Sequence, residues 1–89
     1  MNLTLTVLVH EDETGGYWGE VVELPGCASQ GDDLDEMDHN IREAIDLILE
    51  VKLEDGEDVA GIRAAQDVSV EPGVRKWQLS VPLPIVASV

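Results

Sequence analysis

The sequence predicts an α+β domain in which an antiparallel sheet carries one main helix on one face, in the order β-β-β-α-β. Apolar side chains alternate along residues 2–9, which is typical of a strand with one buried face. Along residues 34–48 they recur instead at steps of three and four, which is typical of a helix. A chain of 89 residues has room for one core, so we expect a single domain over residues 1–89.

Three strands are predicted before the helix. Residues 2–9 form the first strand, and the acids and glycines of residues 11–16 form a hairpin loop that leads into a return strand over residues 17–23. Proline followed by glycine at positions 25 and 26 is typical of a type II turn, and a short strand over residues 27–30 follows. The core side chains of the first strand are expected to be Leu3, Leu5, Val7 and Val9.

The helix has a clear start. Asp33 can cap its first turn, and Glu36 stands three residues later, as in a capping box. We expect the helix to end between Leu49 and Leu53, ahead of an acidic stretch that contains Gly56. Its apolar stripe faces the sheet and consists of Leu34, Met37, Ile41, Ala44, Ile45 and Ile48.

Residues 55–66 have no clear assignment. Residues 68–70 and 75–83 predict a second hairpin around the turn at Pro72-Gly73. Prolines at positions 82 and 84 cannot donate to a β-ladder, so they place the end of the last strand at an edge of the sheet or beyond it. The alternating apolar residues of that strand are Trp77, Leu79, Val81, Leu83 and Ile85.

The charge of the chain restricts its partners. Nineteen acids against five bases give a net charge of −14, which argues against nucleic acid as a direct ligand and against binding to an anionic membrane. Residues 1–50 hold thirteen acids and one base, so we expect a basic partner to dock on the first half. No segment has the features of a signal peptide or a membrane span, and the single cysteine favours a cytoplasmic location.

The residues that could carry chemistry do not form a known motif. Acids cluster at residues 32–38, but their spacing is not that of a calcium loop, and acids favour the start of a helix in any case. His10 and His39 have no nucleophile beside them in sequence, and Cys27 is more typical of a small buried thiol. We therefore expect no catalytic residue, no metal and no cofactor.

Residues 17–45 resemble the HicB-like antitoxin family. The resemblance rests on four features. They are a strand that begins at Tyr17, a turn with the sequence Glu-Leu-Pro-Gly-Cys at residues 23–27, the tripeptide Gln-Gly-Asp at residues 30–32, and the helical segment Asn-Ile-Arg-Glu-Ala-Ile at residues 40–45. It implies a partial ribonuclease H-like fold. It also implies that the chain neutralises a small basic HicA-type toxin, an mRNA-cleaving ribonuclease. Asp33 replaces a frequent threonine at the helix cap, a change that capping tolerates.

Two other functions stay open. The chain could be a solitary HicB-like domain with a different protein partner, or with only itself as partner. It could also keep ribonuclease H chemistry, although residues 3–9 contain no acid where such a nuclease needs one. The candidate contacts to a basic partner are the acids and the arginine that we expect to face outward, namely Glu20, Glu23, Asp35, Asp38, Arg42 and Asp46.

We also expect a homo-oligomer, most simply a dimer. A small open sheet leaves unpaired edges, and a core of this size gains stability by burying more apolar surface. Leu8, Trp18 and Val22 lie opposite the predicted helix face and form a candidate patch for self-association. The last predicted strand ends close to Val89, so we expect no C-terminal DNA-binding domain.

Overall fold

The computed structural model describes residues 2–59, 61–65 and 68–82 and has the predicted α+β architecture. Four strands form one antiparallel sheet in the order β3-β2-β1-β4, so that β3 and β4 are its edges. The β-β-β-α-β order is confirmed. The elements are β1 Asn2–Glu11, β2 Tyr17–Val21, β3 Ala28–Gly31, α1 Leu34–Glu54 and β4 Arg75–Pro82.

The core lies between α1 and one face of the sheet. Strand β1 is central, and its Val7 is paired with Val21 of β2 and with Trp77 of β4. Because side chains alternate across a strand, this register places the odd-numbered residues of β1 on the helix side. All four predicted β1 core residues are buried there. The helix contributes Met37, Ile41, Ile45 and Leu49, each with no exposed surface.

The start of α1 agrees with the prediction. Asp33 is the N-cap, and its carboxylate accepts a hydrogen bond of 2.8 Å from the Glu36 backbone N–H. The Glu36 carboxylate accepts in turn from the N–H of Asp32, at 3.3 Å, and so reaches one residue beyond the cap. The helix ends at Glu54, one residue later than predicted, because the Asp55 N–H still donates to the Val51 carbonyl.

The turn between β2 and β3 is as predicted. Gly26 has φ of +87°, a value that favours glycine, and the Cys27 N–H donates to the Leu24 carbonyl at 2.9 Å. The flanking strands differ slightly from their predicted bounds. The turn already begins at Val21, whose carbonyl accepts from the Leu24 N–H, so β2 ends there and not at residue 23. Strand β3 begins one residue later than predicted.

The predicted second hairpin is wrong. Residues 68–70 form no strand, and β4 pairs along its whole length with β1 instead. The central strand offers β4 eight partners, from Asn2 to Val9, which is a much longer ladder than residues 68–70 could provide. The predicted edge position of β4 is confirmed. Leu83 and Ile85, which we assigned to this strand, lie outside the described residues.

The segment between α1 and β4 begins on the core side of the sheet. Val59 is buried in the core, and Ile62 packs against it. Further along, the Ala65 N–H donates to Glu23, and Val68 lines a groove together with Leu8 and Val22. Since Leu8 belongs to the face that points away from α1, Val68 lies on the far side of the sheet from Val59.

Candidate functional site

The outer face of α1 carries an acidic row. Asp35, Asp38, Arg42 and Asp46 are spaced by three or four residues, so they follow one line along the helix. Asp35 and Asp46 are exposed, whereas Asp38 is half-buried. The Arg42 Nε donates to both carboxylate oxygens of Asp38, at 3.2 Å each. The arginine thus compensates Asp38, and the free negative charge of the row lies at Asp35 and Asp46.

Two further acids belong to this surface and were not among the predicted contacts. Glu43 and Glu50 are exposed and lie on the same side of the helix as Asp46. Glu43 is within 3.1 Å of His39 Nε2, and both side chains are largely exposed, so the pair contributes little to stability. Their helical spacing could have identified them. We call the set Asp35, Asp38, Arg42, Glu43, Asp46 and Glu50 the acidic helix face.

Glu20 lies on a different surface. It belongs to the face of the sheet that points away from α1, where its carboxylate is 3.8 Å from His10 Nε2. The His10 ring stacks on Trp18, with ring centroids 3.9 Å apart and planes inclined by 8°. One rigid partner surface therefore cannot cover Glu20 and the acidic helix face together without wrapping around the sheet.

Glu23 is engaged by the backbone of its own chain. Its Oε1 accepts from the Thr6 N–H and its Oε2 from the Ala65 N–H, both at 2.7 Å. Burial raises the pKa of this carboxyl, but the N–H donors of Ala65 and Thr6 outweigh that effect and hold the pKa below its usual value. Glu23 thus connects β1 to the segment that follows α1. Ala65 is 42 residues away, so no local pattern indicates this role.

A concave acidic corner lies where the first hairpin meets the start of α1. Asp12, Tyr17, Asp32, Glu36 and Asn40 are among the residues that line this pocket of about 340 Å³. Its carboxylates and phenol ring can accept a basic side chain. Asp32 and Glu36 therefore do more than begin a helix, since they also line this pocket together with Asp12 of the hairpin loop.

Thr14 holds one wall of this acidic corner in place. The Asp12 carboxylate accepts hydrogen bonds from the Thr14 N–H, at 2.9 Å, and from the Thr14 hydroxyl, at 2.8 Å. Both bonds lower the pKa of Asp12, so this carboxylate stays negatively charged. Across residues 2–59, 61–65 and 68–82, no group of three or more histidines, cysteines or acids could hold a metal ion.

The predicted self-association patch is partly covered. Leu8, Trp18 and Val22 are all half-buried, and Val68 from the segment after α1 lines the same groove as Leu8 and Val22.

Cys27 is buried, as expected, and its burial raises the pKa of the thiol, which therefore stays protonated and unreactive. None of the helices in the described segments is both long and apolar enough to span a bilayer.

The pure protein is expected to leave an RNA–DNA hybrid intact in the presence of Mg²⁺ or Mn²⁺. Two-metal hydrolysis needs carboxylates that converge on both ions, whereas the core-facing residues of β1 are all apolar. Incubation of a labelled hybrid with the protein, followed by electrophoresis, measures this. Degradation that is lost when Asp32, Asp33 or Asp35 is changed to asparagine would contradict it, because such a loss would exclude a contaminating nuclease.

Comparison with known proteins agrees with the fold and with the sequence resemblance. Residues 5–83 match the family model described as the HicB-like antitoxin of bacterial toxin–antitoxin systems. Two relatives are a UPF0150 protein of Synechocystis and one of Archaeoglobus fulgidus. The Synechocystis protein is 48% identical over 58 residues, which are 64% of this chain and 84% of the relative. The Archaeoglobus protein is 44% identical over 57 residues, which are 62% and 83%, respectively.

Solved structures show the same architecture. The N-terminal domain of the Burkholderia pseudomallei antitoxin HicB superposes with a TM-score of 0.79 at 30% identity, and the match covers 91% of this chain and all of that domain. The longer B. pseudomallei HicB structure gives a TM-score of 0.76 at 28% identity, with 98% of this chain and 75% of that chain covered. The sheet order, the capped helix and the family match over residues 5–83 lead to one conclusion: this chain belongs to the HicB-like antitoxin family.

Proposed function

We propose that this protein is a cytoplasmic, non-enzymatic antitoxin that binds and neutralises a small basic mRNA-cleaving toxin of the HicA type, without contacting nucleic acid itself. Membership of the HicB-like antitoxin family supports an antitoxin role in general. The observation that supports this kind of partner most directly is the acidic helix face, which carries five acids and a single arginine. A ribonuclease must present positively charged side chains to bind RNA. A rigid acidic surface can bind those side chains in place of the RNA phosphates.

The proposed contact surface combines the acidic helix face with the acidic corner. Both are negative, and both include the first turn of α1, where Asp35 and Glu36 lie. A basic partner can therefore lie along the helix and place one side chain in the corner. Glu20 lies on the other side of the sheet, and Glu23 is held by Thr6 and Ala65, so we leave these two predicted contacts out of the proposed surface.

Reversal of Asp35, Asp38 and Asp46 to lysine is expected to slow association with the cognate toxin at least tenfold and to flatten its salt dependence. Charge on this surface mainly raises the association rate, and salt screens it. All three residues lie outside the core, so the fold should be retained. Stopped-flow or surface-plasmon measurements at several salt concentrations report the rate, and circular dichroism checks the fold.

The matched control reverses Glu11, Glu13 and Glu71, three exposed acids outside the proposed contact surface. This variant has the same net charge as the first, so it separates an effect of the helix face from one of total charge. If both triple variants associate equally fast, the helix face is not the binding surface. If the unmodified protein binds no HicA-type toxin encoded beside it, the proposed function fails and the alternative of a different protein partner takes its place.

A further inference from the structure

One flank of α1 is apolar and reaches the solvent. Leu47 is 62% exposed and Val51 48%, and they are the large hydrophobic residues that the described part of the chain leaves exposed. Ala44 and Ile48 lie next to them on the helix and pack partly against the core. We call the four residues Ala44, Leu47, Ile48 and Val51 the apolar flank. It extends the apolar surface of the core out to the water around the helix.

The shortness of β3 explains why the apolar flank is open. The Asn40 side chain donates to the Gln30 carbonyl at 2.8 Å, and the helix begins soon after Gly31, so α1 runs back along β3 in the opposite direction. Leu47 and Val51 lie about 10 and 16 Å further along the helix than Asn40. Strand β3 extends only about 7 Å beyond Gln30 on that side. The helix therefore passes the end of β3 before it reaches the exposed part of the flank.

Acids border the apolar flank. Leu47 lies between Glu43 and Glu50 of the acidic helix face, four residues after the one and three before the other. Glu54 is exposed and stands three residues beyond Val51, at the end of the helix. A second copy of this chain would bring the same acids against these and be repelled, whereas a basic protein on the acidic helix face covers Leu47 as well. Charge therefore selects a basic protein as the occupant of the flank.

The spacing of the apolar flank selects an α-helix of that protein. The four residues stand at positions i, i+3, i+4 and i+7, the pattern with which one helix packs along another. The backbone N–H and C=O groups in the middle of α1 are hydrogen-bonded within the helix, so a strand of the partner would find none to pair with. A helix satisfies its own backbone groups and presents only side chains to the flank.

We propose that the apolar flank binds an amphipathic helix of the basic toxin, which places apolar side chains against Leu47 and Val51 and lysine or arginine side chains beside the bordering acids. This inference rests on the proposed function, and it gives two adjoining surfaces separate roles. The acidic helix face raises the association rate. The apolar flank holds the complex together, because the burial of apolar surface mainly lowers the dissociation rate.

Polar replacement of the two exposed residues tests this division of roles. Leu47→Gln combined with Val51→Thr keeps the net charge and nearly the size of both side chains. Dissociation of the HicA-type toxin encoded beside this protein should become faster by about tenfold or more, because the apolar contact is lost. The association rate should change by less than about twofold, since no charge changes. Surface-plasmon measurements give both rates, and circular dichroism checks the fold.

The matched control is Leu47→Met combined with Val51→Ile, which keeps the apolar surface. Its dissociation rate should equal that of the unmodified protein. Equal dissociation rates for the polar pair and the unmodified protein would overturn the proposal. If the toxin does not bind the unmodified protein at all, the proposed function fails; if it binds and the polar pair has no effect, only this inference fails.

Photo-cross-linking identifies the occupant. Replacement of Leu47 with p-benzoylphenylalanine should link this protein to the toxin on irradiation. Mass spectrometry should place the link in a toxin helix whose apolar residues recur at steps of three and four and are flanked by lysine or arginine. The same replacement at Gln78, an exposed residue of β4, is the control and should give no link. A link to a strand or loop of the toxin, a link between two copies of this chain, or no link in the bound complex would overturn the proposal.

Discussion

Replacement of Gly31 with alanine is expected to destabilise the protein by about 3 kcal/mol or more, a large fraction of the stability of a domain this small. A Cβ atom at Gly31 would meet the backbone of α1, with the nearest contact at the Met37 nitrogen and a second at the Glu36 carbonyl carbon, 2.8 Å away. Neither atom can move unless the first turn of the helix lifts off the sheet. Urea unfolding followed by circular dichroism measures the loss.

Gly19→Ala is the matched control for this prediction. Gly19 lies on the neighbouring strand β2, and a Cβ there would meet the Met37 sulfur at 2.9 Å and a methyl of Val7 at 3.1 Å. A methionine side chain is flexible and can yield, so we expect a cost of about 1 kcal/mol or less. Equal destabilisation by the two substitutions would mean that the helix start is not packed against Gly31 as closely as the structure shows.

Replacement of Glu23 with alanine is expected to cost about 2–4 kcal/mol. The substitution removes two charge-assisted hydrogen bonds and leaves the N–H groups of Thr6 and Ala65 without their acceptor. Thr6 is buried, so its N–H cannot form a hydrogen bond with water instead. Glu20→Ala is the matched control, because Glu20 lies on β2 with only a 3.8 Å approach to His10 and should change stability little.

The same carboxylate makes the protein less stable in acid. The pKa of Glu23 is lower in the folded protein than in the unfolded chain, so the unfolded state takes up its proton first as the pH falls. The stabilisation is therefore fully present above the unfolded value of 4.5 and is lost as the pH falls through the folded pKa. In Glu23→Gln, the free energy of unfolding should depend less on pH between about 5 and 3 than in the unmodified protein. Identical pH profiles would contradict this role of Glu23.

The sequence predicted the elements whose signals are local. The capping residue Asp33, the Pro25-Gly26 turn and the alternation along β1 each depend on residues a few positions apart, and the structure has all three. It failed at residues 68–70, where two valines and a turn favoured a hairpin strand. The local propensity of those residues for a strand was outweighed by the backbone hydrogen bonds of the long ladder that β1 forms with β4. Such a choice between partners depends on contacts across the whole sheet, and a short pattern does not contain them.

The acidic character of the candidate site also follows from the sequence, but its shape does not. The charge excess of the first half and the helical spacing of Asp35, Asp38 and Asp46 already predict an acidic helix face. The concave corner forms only where the hairpin loop at Asp12 meets the start of α1. These two segments are some twenty residues apart in the chain, so no local pattern predicts that they meet.

The sequence by itself determined the four strands and the helix that the structure has, although it also predicted a strand at residues 68–70 that the structure lacks. It further determined the core residues of β1, three of the four fully buried residues of α1, and the family. These are encoded in periodicity, in caps and turns, and in one continuous motif over residues 17–45. Only the tertiary structure decided that Glu23 belongs to the fold, that Glu20 faces away from the helix, and that Leu47 and Val51 stay exposed. The physical reason is that a side chain's solvation and hydrogen-bond partners depend on residues brought close by folding, such as Ala65 beside Glu23.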